Sequence, residues 1–339
     1  MSPENFFSNS CAAFGTTVEI NSNSKAWLES LSRYLSLQLQ EQGTGTKAGI
    51  KLYLFEVDPG NLDGKFMPPL PDQAFKERED VLLVDRPIPA VYYTRDGQKW
   101  VNFSGYGRLW VDSARGVAAA VRSRGCGVDP LYSDILFGFN TLAGLFVKMG
   151  LYSFHASCVE VDGKGVLFTG NSGKGKTTAA LALALRGCPI LSDDRVLVGK
   201  NQGAYYGASI SDVIKLRQES INEFFPELDL EKPFRRLYGE TYYKSGWSGG
   251  TLKYTPAVPL SKVVILQKTG SSQSYYERIK PARVVGDLFP VTLNVHDPVL
   301  LGSKFSFVMD FLQQNECYRV FFGTDMNEFA RQIKKLARE

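Results

Sequence analysis

The eight residues Gly170-Asn171-Ser172-Gly173-Lys174-Gly175-Lys176-Thr177 fit the pattern G-x-x-x-x-G-K-[ST]. Glycine tolerates positive φ, so Gly170, Gly173 and Gly175 let successive backbone N–H groups turn inward toward an anion. A helix beginning near Lys176 would add its positive N-terminal end. Lys176 supplies a mobile charge to terminal phosphates, the Thr177 hydroxyl is placed to ligate Mg2+, and Thr178 assists at the helix start. The loop therefore predicts binding of a nucleoside triphosphate with magnesium. ATP is the default, since no base-reading motif is recognisable.

Chemistry beyond binding needs acidic groups opposite the phosphates. Asp193-Asp194 follows the short strand after the loop's helix, and an α/β layer puts such a strand end beside the nucleotide. One carboxylate can hold Mg2+ while the other accepts a proton from an incoming hydroxyl. A solvated turn is the plainer alternative. His155, one of two histidines, could hydrogen-bond an aspartate and tune its proton affinity, or be a core histidine satisfied by backbone. Arg217 closes the apolar segment Ile214-Lys215-Leu216-Arg217. It is the first choice for a cation that clamps transferred phosphate, ahead of Arg235, Arg236 and Lys253. Trp247-Ser248-Gly249-Gly250 reads as a mobile substrate loop or a turn, and His296 as part of a loop.

The flanking pattern supplies the elements that must position these residues. Ser157 to Val161 and Gly165 to Thr169 read as strands joined by Asp162-Gly163-Lys164, and Thr177 to Arg186 as an Ala/Leu helix stopped by Gly187 and Pro189. Pro189 to Leu191 leads into the aspartates. Arg195 to Val198 with Ala204 to Tyr206 suggests a hairpin, Val263 to Gln267 a buried strand, and Tyr318 to Phe322 a late strand before a helix from Met326 to Ala337.

Residues 1–150 carry a different pattern. Strands are expected over Gly15 to Ile20, Ile50 to Val57, Val81 to Asp85 and Ala90 to Thr94, with a hairpin at Asp96-Gly97. Helices are expected over Lys25 to Gln42, Ser113 to Arg122 and Leu131 to Met149, and an irregular connection over Asp58 to Asp72. This predicts a smaller α+β domain with an antiparallel sheet over residues 1–150, of no assigned role, and an α/β P-loop catalytic domain over 151–339.

Composition excludes several classes. The net charge of +4 comes from 39 basic and 35 acidic residues, without the Lys/Arg runs of an electrostatic nucleic-acid binder. Five dispersed cysteines with no C-x-x-C pair indicate neither a zinc ribbon nor a disulfide framework, so a reducing cytoplasm is expected. The apolar stretch Ile135 to Leu151 is interrupted by Gly138, Asn140, Gly144 and Lys148 and reads as a buried helix, not a membrane anchor.

With these residues in place, His155 to Thr178 followed by Leu191-Ser192-Asp193-Asp194 resembles the catalytic domain of HPr kinase/phosphorylase, which orders a histidine, a P-loop, a helix and paired aspartates in the same way. The resemblance implies a fold related to phosphoenolpyruvate carboxykinase and an ATP- and Mg2+-dependent transfer to a serine hydroxyl. It also implies that Asp193 is the base with His155 near it, and that Asp194 is the metal partner. The glutamate-containing segment that follows the aspartates in that family is not recognisable near Gly207 to Phe225. The chain is more similar to divergent members, some of which phosphorylate ribosomally made peptides such as lasso-peptide precursors. The expected partner is thus a peptide or protein carrying a serine, with no nucleic acid or membrane, and a homo-oligomer is compatible with this. A small-molecule hydroxyl kinase and a nucleotide-dependent interaction module are the competing function classes.

Overall fold

A computed structural model of the chain describes residues 6–13, 16–35, 49–62, 66–72, 76–80, 88–171, 173–209, 211–228, 233, 235–237, 240–244, 252–291 and 298–339. The strand expected over 81–85, the last part of the helix expected over 25–42, Ser172, residues 247–250 and His296 lie outside them. The chain divides into two compact units, Met1–Gly150 and Leu151–Glu339.

The first unit is built on an eight-stranded sheet. Its elements are β1 (Phe7–Ala13), β2 (Thr16–Ser22), α1 (Lys25–Tyr34), β3 (Ile50–Val57), β4 (Lys76–Asp80), β5 (Ile88–Arg95), β6 (Gln98–Phe103), β7 (Gly107–Asp112) and β8 (Val117–Ser123). The strand order is β1-β2-β3-β8-β7-β6-β5-β4. Ser24 caps α1 by accepting from the Trp27 N–H, and Trp27, Leu28, Leu31 and Tyr34 form its buried stripe. Asp96 and Gly97 both take positive φ, 52° and 73°, which makes the tight turn between β5 and β6.

Two expectations for this unit are corrected. The sheet is mixed, not antiparallel: β2 runs parallel to β3, and β3 parallel to β8. A helix between β2 and β3 is a crossover, and a crossover returns the chain in the same direction. Residues expected as a helix over 113–122 instead form a turn followed by β8. Ala118, Ala119 and Ala120 favour a helix locally, but they are at most 2% exposed in a strand paired on both edges, to β3 and β7. Pairing and burial of this strand outweigh a propensity of a few tenths of a kcal/mol per residue.

The unit closes with α2 (Pro130–Ser133), a π-helical turn (Asp134–Phe139), α3 (Asn140–Phe146) and a 3-10 turn (Val147–Met149). This run is long and apolar enough by composition to cross a membrane. Its Phe137, Leu142, Leu145 and Phe146 are fully buried, and α3 packs on β7 and β8.

The second unit begins with β9 (Tyr152–Phe154), β10 (Ser157–Val161), β11 (Lys164–Thr169), α4 (Lys176–Ala184), β12 (Ile190–Ser192), β13 (Val196–Asn201), β14 (Ala204–Ala208), β15 (Val213–Arg217) and α5 (Gln218–Phe224). It continues with β16 (Arg235–Leu237), β17 (Glu240–Lys244), β18 (Ala257–Lys268), β19 (Tyr275–Arg278), α6 (Pro281–Val291), α7 (Pro298–Gln314), β20 (Glu316–Phe322) and α8 (Met326–Arg338). The main sheet has the order β12-β10-β11-β18-β14-β13-β9, with β20 on β18 and β19 on β20. β11, β18 and β20 are mutually parallel neighbours. A separate antiparallel sheet has the order β15-β17-β16.

Apolar residues on successive positions of β11 and β18 serve two cores at once. Val166, Phe168, Val264 and Leu266 pack with α4 and α8, while Leu167, Val263 and Ile265 pack with α6 and α7. A strand covered on both faces needs an unbroken apolar run, and Val166-Leu167-Phe168 is one. Phe329 of α8, fully buried, lies 6.5 Å from Phe168 and 5.8 Å from Phe322 between ring centroids. Phe329→Ala is therefore expected to cost about 3–5 kcal/mol of unfolding free energy. Urea unfolding followed by tryptophan and far-UV signals measures this, and a loss below ~1 kcal/mol would contradict the packing described.

Candidate active site

The loop between β11 and α4 has the backbone that its glycines allow. Gly170, Gly173 and Gly175 take φ of 130°, 80° and 91°, in the region open chiefly to glycine. Gly175 occupies the N-cap of α4, and no side chain caps that helix. Its first-turn N–H groups therefore face the loop, as an anion requires. A Cβ on Gly175 would come within 2.5 Å of the Phe322 ring. Asn171, Gly173 and Lys174 are exposed at the tip.

Lys176 is buried at the start of α4, and its ammonium donates to the carbonyls of Gly170 at 2.8 Å and Asn171 at 3.2 Å. Burial lowers its proton affinity, against the opposing charges of Asp194 and Asp193. Thr178 is buried in the same turn. Thr177 points its hydroxyl at Asp193, donating to Oδ1 at 2.8 Å, with Oδ2 at 3.0 Å.

Asp193 follows β12, which pairs with β10 at Cys158↔Ser192. That pairing brings Ser157 to the same carboxylate, its hydroxyl donating to Oδ1 at 2.6 Å. The Lys215 backbone N–H donates to Oδ2 at 3.0 Å. Asp193 is only 6% exposed. Burial raises its proton affinity and the neighbouring Asp194 charge adds to this, while the bonds from Ser157, Lys215 and Thr177 oppose it.

Asp194 is placed differently. Its φ is 72°, a left-handed conformation that Asp tolerates better than most residues. The His155 ring approaches it through Nδ1, 3.0 Å from Oδ1 and 3.0 Å from the backbone carbonyl. Burial works against its charge, but Lys215, His155 and Arg195 together hold the carboxyl well below its ordinary range. About a third of the side chain is accessible.

The structure thus brings together Lys176, Thr177, Asp193, Asp194 and His155. Asp193 meets the Thr177 hydroxyl, and Asp194, not Asp193, meets the His155 ring. Arg217 is tied by Nε to Glu240 Oε1 at 3.3 Å and is half exposed. Arg235 and Arg236 lie exposed on β16, and Lys253 is exposed beside the buried Leu252. Sequence reasoning missed Ser157 and Lys215 as partners of the pair, and Glu240 as the partner of Lys215 and Arg217. Lys215 stood in the segment that singled out Arg217, but nothing in that segment tells which backbone N–H reaches Asp193.

The donor set fits magnesium and a triphosphate. A hydroxyl beside one carboxylate is a common protein contribution to Mg2+, which keeps much of its shell for water and phosphate. Among the described residues no group of three or more His, Cys, Asp or Glu side chains gathers as a metal cage. Lys176→Ala is expected to remove the charged contact to the phosphates, about 1.5–3 kcal/mol, or roughly ten- to hundredfold in Mg-ATP affinity. Gly175→Ala is expected to weaken binding at least as much, through its φ and the Phe322 ring. Isothermal titration measures both, and wild-type affinity in either variant would contradict the loop's role.

Comparison with known proteins places these residues in one matched stretch. The family described as HPr Serine kinase C-terminal domain matches residues 150–219. An HPr kinase/phosphorylase of Mycoplasmopsis pulmonis is 37% identical over 79 residues, 22% of this chain and 26% of that protein. One from Chlorobium limicola is 39% identical over 166 residues, 48% of this chain and 44% of that protein. The Hpr(Ser) kinase/phosphatase structure from Coxiella burnetii aligns with a TM-score of 0.31 at 14% identity, covering 55% of this chain and 93% of that one. The chain spans about a quarter of the length of the first curated relatives it matches. Through the stretch that carries His155, the phosphate loop and both aspartates, the comparisons point to the HPr kinase/phosphorylase family in general.

Proposed function

We propose that the protein is a cytoplasmic ATP- and Mg2+-dependent kinase that transfers the γ-phosphoryl group to a serine hydroxyl of a peptide or protein, with residues 151–339 as its catalytic domain. The observation that carries this reading is the separation of the two aspartates. Asp193 is sealed against Thr177, whereas Asp194 keeps an accessible carboxylate supported by His155.

Residues of the loop and the first turn of α4 hold the triphosphate, with Lys176 on its terminal phosphates. Thr177 and Asp193 hold magnesium, which when bound supplies neutralisation of phosphate charge. Asp194 accepts the serine proton as the serine oxygen bonds to the γ-phosphorus and the bond from phosphorus to the β-γ bridging oxygen breaks, releasing ADP. His155 holds the Asp194 carboxylate in position, and the low proton affinity of that carboxylate keeps it in the basic form at neutral pH. Positioning and electrostatics provide most of the rate in such a transfer. Ribosomally made precursor peptides are acceptors of the right class.

Asp194→Asn is expected to lower turnover about a hundredfold or more while leaving Mg-ATP affinity within roughly threefold. Asp193→Asn is expected to weaken binding of Mg-ATP more than that of ATP in EDTA. Labelled ATP, a panel of serine peptides and free hydroxyl compounds provide the readout. Full turnover in Asp194→Asn would sink the assignment of the base. Transfer only to small hydroxyl compounds would sink the peptide acceptor. Binding with no transfer to anything would favour an interaction module.

A further inference from the structure

Tyr254 stands beside the strand that ends in the paired aspartates. It forms a parallel bridge with Ile190, the first residue of β12. The Ile190 N–H donates to the Lys253 carbonyl at 2.8 Å, and the Thr255 N–H donates to the Ile190 carbonyl at 2.9 Å. A hydrogen bond on each side of Tyr254 thus fixes its backbone along the edge of β12 away from β10. Ile190 sends its side chain into the core under α4, and the Tyr254 ring packs against that same core. The helix over that core also carries Thr177, whose hydroxyl meets Asp193.

The phenol hydroxyl stands out in this setting. Its oxygen is closed to solvent and has no hydrogen-bond partner among the described residues. Phenylalanine would fill the same space without burying an unpaired polar atom. A buried hydroxyl retained in this way points to a ligand or an ordered water that satisfies it.

The neighbouring charges indicate which. Burial pushes the proton affinity of the phenol up, and the charges of Asp212, just before β15, and of Asp193 push it further. Tyr254 therefore stays neutral, with one O–H to donate and an oxygen that accepts. Ser157 and Thr177 already commit their hydroxyls to Asp193, whereas the Tyr254 hydroxyl is left over beside the same carboxylate. Magnesium gives up its water reluctantly and keeps several molecules in its shell. Each of these donates hydrogen bonds, and a phenol oxygen can accept one while its own O–H turns to a carboxylate. Partners of this kind orient the groups that touch a metal.

We propose that Tyr254 is a positioning residue of the magnesium site, its hydroxyl holding a metal-bound water in place beside Asp193. The inference rests on the assignment of Thr177 and Asp193 to magnesium, and not on serine as the acceptor.

The test measures binding of the β,γ-imido analogue of ATP to the full chain by isothermal titration, at fixed Mg2+ and in EDTA. The unaltered protein, Tyr254→Phe, Asp193→Asn and the double variant are compared, and melting temperature is followed in parallel. Tyr254→Phe is expected to weaken binding with Mg2+ about tenfold, as the loss of an outer partner of a metal site does, and to leave binding in EDTA unchanged. Its melting temperature without ligand is expected to be equal or higher, because an unpaired buried oxygen is gone. In the Asp193→Asn background the same substitution is expected to cost less than about threefold, since both residues act on one metal. Equal Mg2+-dependent binding in Tyr254→Phe and the unaltered protein overturns the role of Tyr254 and leaves Thr177 and Asp193 in theirs. Weaker binding in EDTA with a lower melting temperature also overturns it, because the hydroxyl then serves the fold. Full additivity with Asp193→Asn does the same. Binding that ignores Mg2+ in the unaltered protein overturns the metal site and Tyr254 together. Tyr254 behaving as expected in a protein that phosphorylates no hydroxyl compound would keep this site and remove the kinase reading.

Discussion

The Asp193 carboxylate ties three separate elements to one point. It accepts from Ser157 of β10, from Thr177 of α4 and from the Lys215 N–H of β15. A carboxylate taken out of water at this depth is costly, and its raised proton affinity registers that cost. The hydrogen bonds offset it only while all three elements keep their places. The same constraint that makes Asp193 expensive thus fixes the Thr177 hydroxyl relative to the strand end and seats β15 against the site.

What holds those elements is ordinary packing. β11 enters the glycine loop before α4 from the middle of a sheet that is covered on both faces, with α4 and α8 on one side and α6 and α7 on the other. Phe322, at the end of β20, lies under Gly175 and leaves no room for a side chain there. Close approach of sheet to loop, together with positive φ, explains why glycine stands at that position.

Two adjacent aspartates end in different environments although they share a turn. Asp193 continues the strand direction into the interior, while the left-handed backbone at Asp194 swings its carboxylate toward His155, Lys215 and Arg195. Neighbouring carboxylates with proton affinities pushed apart are a familiar way to obtain two roles from one residue type. Here the separation arises from one backbone dihedral and from the burial of a single side chain.

The amino-acid sequence by itself determined the parts that depend on neighbours in the chain. The glycine spacing, the apolar strand before it and the Ala/Leu helix after it specified the glycine loop between β11 and α4. Asp162-Gly163 and Asp96-Gly97 specified hairpins, because both residues of each turn adopt positive φ. Tertiary structure decided everything that rests on contacts between distant segments. Ala118-Ala119-Ala120 became a strand because pairing on two edges outweighed helix propensity. Ser157 and Lys215 reached Asp193 through strand registers that no local pattern encodes. Glu240 joined Lys215 and Arg217 for the same reason, across a pairing of segments more than twenty residues apart. Which aspartate met Thr177 and which met His155 was likewise open in the sequence, since two identical side chains differ only in where the fold sends them.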